Sequence, residues 1–253
     1  MKFLWCIKAA TLLLFVGCSK PDNTPPATPA DLTGRISKIT QTYSNDPNNN
    51  IDTYVFTYNG DGTVAQIDRG NDAGGPFSTI YFTQQTDYST RKEVILSSGY
   101  TTAQDSFRYD AQGRLYEDYE YTGTEFRLNR RYFYRADGPL DHTEEPTGFG
   151  SDATVKYTWG NGDNIKIDYG FVTVAYSYFT NEVARPGDAQ MISDLLLRGR
   201  VMLPNAHLVK GSSFLDEPPT AYSYTFAGGR VATVTRDNEG SYGTVVQTLS
   251  YEN

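Results

Sequence analysis

The sequence predicts an all-β fold: an antiparallel meander of repeated hairpins, curled into a sheet or barrel-like shell, with one short helix near residues 187–198. Three observations carry that expectation. The chain of 253 residues is 14% aromatic, with 20 Tyr and 23 Gly, a bias toward strands and turns rather than helices. A short strand-turn-strand motif recurs along it. The links between strands are brief, and brief links join antiparallel neighbours.

The motif is clearest at Phe107 to Glu117, FRYDAQGRLYE. Phe107 and Tyr109 alternate with polar residues, as a half-buried strand requires. Asp110-Ala111-Gln112-Gly113 reads as a tight turn, with Asp at its first position and Gly113 expected at positive φ. Gly123 falls in what reads as a less constrained connection. Tyr58 to Val64 matches Tyr109 to Leu115 position by position. Tyr134 to Leu140 keeps Tyr, Gly and Leu, Trp159 to Ile165 keeps the aromatic and apolar ends, and Phe226 to Val231 is one residue shorter. Tyr109 to Tyr134 and Tyr134 to Trp159 are both 25 residues. Such a period marks supersecondary units that bury their faces only against neighbours. Further strands are expected at Arg91 to Ser98, Glu125 to Tyr134, Thr154 to Trp159, Phe171 to Tyr178 and Thr244 to Tyr251, with the first opening at Ile36, Ile39 and Tyr43.

One insertion breaks the rhythm. Between Trp159 and Phe226, the segment Pro186-Gly187-Asp188 gives a helix start. Met191, Ile192, Leu195 and Leu196 recur at helical spacing, and Gly199 stops the run. A lone helix of about ten residues is marginal in isolation, so it is expected to plug an end or face of the sheet.

The aromatic-Asp-x-x-Gly-Arg-Leu pattern resembles the YD (Rhs-type) repeats, whose stacked hairpins build β-shells. The chain as a whole resembles a group of β-rich Bacteroidota lipoproteins of uncharacterised activity. Tyr176 to Asn181, the helix, Leu203-Pro204-Asn205 and Tyr222 to Val234 are similar to that group's C-terminal half. The resemblance covers roughly residues 34–253. It implies a curved antiparallel sheet or barrel-like fold and brings no catalytic residues.

Residues 1–17 read as a signal segment. Lys2 and Lys8 flank its basic region, and Ala9 to Gly17 is apolar but too short to span a bilayer, which takes roughly 20 helical residues. Phe15-Val16-Gly17-Cys18 resembles a lipobox, which makes Cys18 the acylated first residue of the mature chain, although Phe15 stands where Leu is usual. The alternative is an ordinary secretory signal with an incidental Cys18. Residues 18–33, with Pro21, Pro25, Pro26 and Pro29, form an extended tether, and 34–253 form a single all-β domain. The only other cysteine is Cys6, so removing the signal leaves no disulfide. Losing Lys2 and Lys8 leaves 20 basic residues against 30 acidic, a charge of about −10. That balance excludes nucleic acid as a partner, because phosphate binding needs clustered cations.

Motifs for chemistry are sparse. His142, in Asp141-His142-Thr143-Glu144-Glu145, would share a strand face with Glu144 but has no second His nearby. The run Asp46-Pro47-Asn48-Asn49-Asn50-Ile51-Asp52 spaces oxygens like a calcium loop, but Ile51 and Thr57 occupy the positions that need Gly and Glu. It reads as an Asx-rich hairpin loop. Nothing implies a metal or other cofactor. Glu117, Asp118, Glu120, Asp216 and Glu217 could supply a glycosidase pair only if folding brought two together. The remaining candidates are rings that could stack on sugars: Tyr119, Tyr121, Tyr132, Tyr134, Trp159, Tyr176 and Tyr178. The expected function is a lipid-anchored protein of the outer membrane, of non-catalytic binding or scaffolding type. Its partners would be the membrane through the anchor, and a polysaccharide or an envelope protein. The alternative is an envelope glycoside hydrolase or other hydrolase. An integral outer-membrane barrel conflicts with the lipobox and the polar tether.

Overall fold

A computed structural model describes residues 34–252 apart from 49, 72–73, 147–152, 202–204, 215–217 and 239. Cys18, the tether, Leu203, Pro204, Asp216 and Glu217 lie outside the described residues. The strands are β1 Ile36–Tyr43, β2 Asp52–Tyr58, β3 Val64–Asn71, β4 Gly75–Gln84, β5 Tyr88–Ile95, β6 Thr101–Tyr109, β7 Leu115–Tyr121 and β8 Phe126–Tyr134. They continue as β9 Leu140–Glu145, β10 Ala153–Gly160, β11 Asp163–Asp168, β12 Thr173–Val183, β13 His207–Phe214, β14 Thr220–Ala227, β15 Arg230–Asp237 and β16 Val245–Tyr251. Each pairs antiparallel with its neighbours in sequence, and β1 pairs with β16, so the sheet closes into a barrel of sixteen strands. Closure removes the unpaired edges an open meander would leave.

In an up-and-down barrel every link from an even strand to the next odd one lies at the same end. All the repeated hairpin turns therefore share one rim, the turn end, and β1 starts and β16 finishes there. The turns share their chemistry. Asp110 N–H donates to Arg114 O (2.9 Å) and Gly113 N–H to Asp110 O (2.8 Å). The same pair of bonds recurs at Asn59 with Thr63 and Gly62, and at Arg135 with Pro139 and Gly138. The Asp110 carboxylate also accepts from the Gln112 and Arg114 N–H groups. Gly113 has φ +75, as expected, but Gly123 is also left-handed at φ +95, so that connection is equally constrained.

A second device repeats. Tyr58 Oη donates to Ile36 O, Tyr134 Oη to Leu115 O, Trp159 Nε1 to Leu140 O and Tyr251 Oη to Val231 O. The aromatic residue at the end of each of these strands thus reaches the backbone at the start of the strand before it, and Trp159 fills the slot that Tyr holds elsewhere.

The helix α1, Ala189–Arg198, joins β12 to β13 across the turn end. The Asp188 carboxylate caps it by accepting from the Gln190 and Met191 N–H groups, and Gly199 ends it at φ +70. Met191, Ile192 and Leu195 are buried against Ile36, Ile39, Phe56, Ile67, Val234 and Leu249, inward residues of the surrounding strands. One end is anchored by Pro186 O, which accepts from Val231 N–H and Tyr251 Oη, and the other by Gly199 O, which accepts from Val64 N–H. The helix stoppers the turn end. A smaller core of Phe107, Tyr109, Leu115, Tyr132 and Leu140 lines the opposite wall, with Tyr134, Tyr157 and Trp159 against it.

Candidate functional site

The two faces of the wall differ, and the cross-strand register assigns every residue to one of them. Outward positions carry Lys38, Lys92, Arg108, Arg131, Lys156 and Lys210, all exposed, interspersed with Thr40, Thr53, Thr90, Thr158, Thr233 and Thr248. A barrel that crosses a bilayer on its strands needs the reverse, an outward apolar band about 25 Å tall.

Rings interrupt this polar surface at Tyr81 on β4 and Tyr88 on β5, and most densely along one arc. Tyr119 and Tyr121 on β7 face outward beside Leu128 and Phe126 on β8. The Tyr121 and Phe126 ring centroids are 5.2 Å apart, and the Arg108 guanidinium lies 4.8 Å from the Tyr119 ring centre. Tyr119 Oη donates to Glu117, and burial together with that carboxylate raises its pKa. On the same arc Phe133 stacks on His142 at 4.5 Å. His142 lies within reach of Asp141 and Glu144, and among the described residues no group of three His, Cys, Asp or Glu converges to hold a metal. Asp46 accepts from the Asn48 and Asn50 N–H groups, the geometry of an Asx loop.

The other candidate rings point inward. Tyr132 is buried and donates to Asp118, and Tyr134 and Trp159 make the backbone bonds described above. Tyr178 Oη donates to Asn164 O. Tyr176 is only half-buried, and desolvation pushes its hydroxyl up to about 12. The seven rings singled out in the sequence therefore form no single site: Tyr119 and Tyr121 belong to the outer arc, the other five to the lumen.

The lumen has two unlike halves. From β3 to β9 its wall is ionic. Arg91 lies 2.9 Å from Glu93 and 3.3 Å from Asp105, Arg69 reaches Glu93, and Arg130 pairs with Glu145. From β10 to β14 the inward positions include Tyr157, Ile167, Val174, Tyr176, Tyr178, Tyr222 and Tyr224. At the floor, Arg198 of α1 holds Asp194 at 2.9 Å and lies against Tyr132 and Asp118. Of the carboxylates noted in the sequence, Glu117 faces out while Asp118 and Glu120 face in. Phe126, Arg108 and the luminal arginines were not singled out in the sequence, because their faces depend on where the register shifts. A separate cavity of about 260 Å³ on the outer face, lined by Thr53, Val55, Asp68, Gly70, Gly75 and Pro76, holds one ionisable group, Asp68, already bonded to Thr79 and Gln66.

No family model matches the chain, and no curated protein matches it by sequence. Solved structures do. The chain is similar to a porin-like protein from Bacteroides uniformis ATCC 8492, with a TM-score of 0.63 and 15% identity over 90% of this chain and 99% of that one. It is also similar to a porin-like protein from Bacteroides vulgatus ATCC 8482, with a TM-score of 0.50 and 12% identity over 87% and 99%. At such identities the likeness is one of fold: a closed β-barrel of the porin-like kind.

Proposed function

We propose that this chain is a lipid-anchored protein of the outer membrane that does not cross the bilayer, and that its barrel is a non-catalytic binding module for glycans. One observation carries the reading: exposed Lys and Thr occupy outward positions on strands all round the barrel, and the outward rings are densest on β7 and β8. Burying Lys92, Lys156 or Lys210 at the bilayer midplane would cost about 2–4 kcal/mol each, so attachment falls to Cys18 and the tether. Acyl chains supply the anchorage, at about 0.8 kcal/mol per buried methylene. Ile36 and Tyr251, paired at the seam, sit at the stoppered turn end, so in this reading the tether joins the barrel there. Tyr119, Tyr121 and Phe126 offer flat apolar faces to sugar rings, with Arg108 and Glu117 beside them to meet hydroxyls.

The test has two arms. Cys18→Ser should shift the protein from the membrane pellet to the soluble fraction and abolish fatty-acid labelling; labelling that persists removes the anchor. Full-length protein in detergent should bind at least one envelope or dietary polysaccharide at millimolar affinity or better, and Tyr121→Ala with Phe126→Ala should weaken that binding without lowering the melting temperature. A flat response across the panel removes the glycan reading and leaves scaffolding.

A further inference from the structure

At the end of the barrel away from the hairpin turns, the described wall is built unlike the rest of the molecule. Inward residues near that rim are not sealed. Asp105, Val174, Tyr176 and Tyr222 are half-buried, and Phe214, inward at the mouth, is 41% exposed. The links that surround the mouth carry the most exposed rings of the described residues: Phe171 at 90%, Tyr100 at 68% and Tyr242 at 58%. They stand on three separate links, β5–β6, β11–β12 and β15–β16, and Tyr242 also packs on Tyr43 at 5.3 Å. Below them, the tyrosine arc faces the ionic arc across the lumen. On the ionic side Asp118 is 7% exposed, and its Oδ1, like the Nε atoms of Arg91 and Arg130, has no hydrogen-bond partner. Buried polar atoms are normally satisfied, and exceptions point to function.

We propose that this mouth and lumen bind the free end of a neutral oligosaccharide. The inference rests on the glycan reading above but assigns a second, separate site. Three features select the ligand. An aromatic wall opposite a hydrogen-bonding wall matches a sugar, which has an apolar C–H face and a rim of hydroxyls. On the ionic arc Arg91 is paired with Glu93 and Asp105, and Arg69 with Glu93, which disfavours an ion as ligand, while the part-exposed Arg69 and Asp105 side chains supply donors and acceptors. Finally, α1 closes the far side, and Arg198 with Asp194 forms a floor. A blind chamber admits a chain end or a short oligosaccharide, not the interior of a long polymer threaded through it.

The experiment titrates neutral gluco-, manno- and xylo-hexaoses into the full-length protein in detergent, by calorimetry and by the fluorescence of Trp159, the only Trp beyond residue 17. At least one hexaose should bind, and Tyr176→Ala and Tyr222→Ala should weaken its binding tenfold or more, while Lys38→Ala, outward on β1 and part of neither site, should leave it unchanged. Ser212→Trp, which fills the chamber opposite Tyr176 while removing no wall contact, should also block it, with near-UV circular dichroism confirming the fold. Hexaose binding that survives Ser212→Trp and Tyr176→Ala, or that is lost only with Tyr121→Ala, overturns the luminal site and leaves the outer-arc reading standing. Failure of every hexaose, with polysaccharide binding on the outer arc intact, overturns it equally. Loss of both kinds of binding overturns the glycan reading itself.

Discussion

At the scale of single residues, the positions that matter most are those where an extra atom has nowhere to go. Gly199 closes α1 at φ +70, and a Cβ there would sit 2.9 Å from the Phe82 ring. Gly113 shares the left-handed backbone, at φ +75, but its nearest neighbour would be the Arg200 guanidinium at 3.7 Å. Both substitutions to Ala incur backbone strain of about 1–3 kcal/mol, and only Gly199→Ala adds a clash within the core. Gly199→Ala should therefore lower the melting temperature more than Gly113→Ala, and Gly113→Ala should match Gly123→Ala. Melts of the three variants check this, and equal losses at 199 and 113 would show that Phe82 yields freely. Residue detail also explains why the faces of the tyrosines were hard to read. Each repeated hairpin carries a register shift beside its aromatic: Tyr109 faces Leu115 but Arg108 faces Glu117, which leaves Tyr116 as an extra residue. On β8 the shift at Asn129 puts Leu128 outside and Arg130 inside, although the two have the same parity. Simple alternation fails across a bulge.

At the scale of elements, the helix was legible because its signals are local. The capping Asp188, the apolar stripe and the terminal Gly199 lie within one short window, and the observed span, Ala189–Arg198, falls inside the expected one. What the stripe packs against was not legible, since its partners come from strands up to about 150 residues away in sequence. The cap also carries a testable pH dependence. Asp188 is 8% exposed, and burial pushes its pKa up to about 6 against the pull of its two N–H donors. A carboxyl raised on folding stabilises the native state in its protonated form. Its contribution is present in full below the ordinary value near 3.8 and is lost as pH rises through about 6. Asp188→Asn keeps the cap acceptor and removes the buried charge. It should raise the unfolding free energy at pH 7.5 by about 1–3 kcal/mol, read as a higher melting temperature, with the advantage shrinking toward pH 5. An Asn variant less stable at pH 7.5 would mean that the charge gains more from the helix N-terminus than it loses to burial. Leu195→Ala, at the centre of the stripe, should cost about 2–5 kcal/mol without altering strand content by far-UV circular dichroism.

At the scale of the whole molecule, the turn motif and its 25-residue spacing made an antiparallel meander readable. Closure of that meander depends on β1 meeting β16, a pairing of residues about 200 apart that no local pattern encodes. Once closed, the barrel poses a question its fold does not answer, because porin-like architecture is compatible both with a channel and with a water-soluble vessel. The sidedness of the wall is what favours the vessel we propose. With Lys and Thr outward, Ile, Val and Leu inward, and α1 packed into one end, the molecule is inverted relative to a barrel held by lipid on its strands. The prediction concerns a protein stripped of its lipid: the Cys18→Ser chain should remain monodisperse without detergent, and should produce no conductance steps when added to planar bilayers. Lys92→Leu combined with Lys156→Leu, both outward, should then reduce its solubility without changing its melting temperature, since neither side chain supports the core. Detergent dependence of the unlipidated chain, or discrete channel openings, would place the wall in the membrane and overturn the tethered-vessel reading at its root.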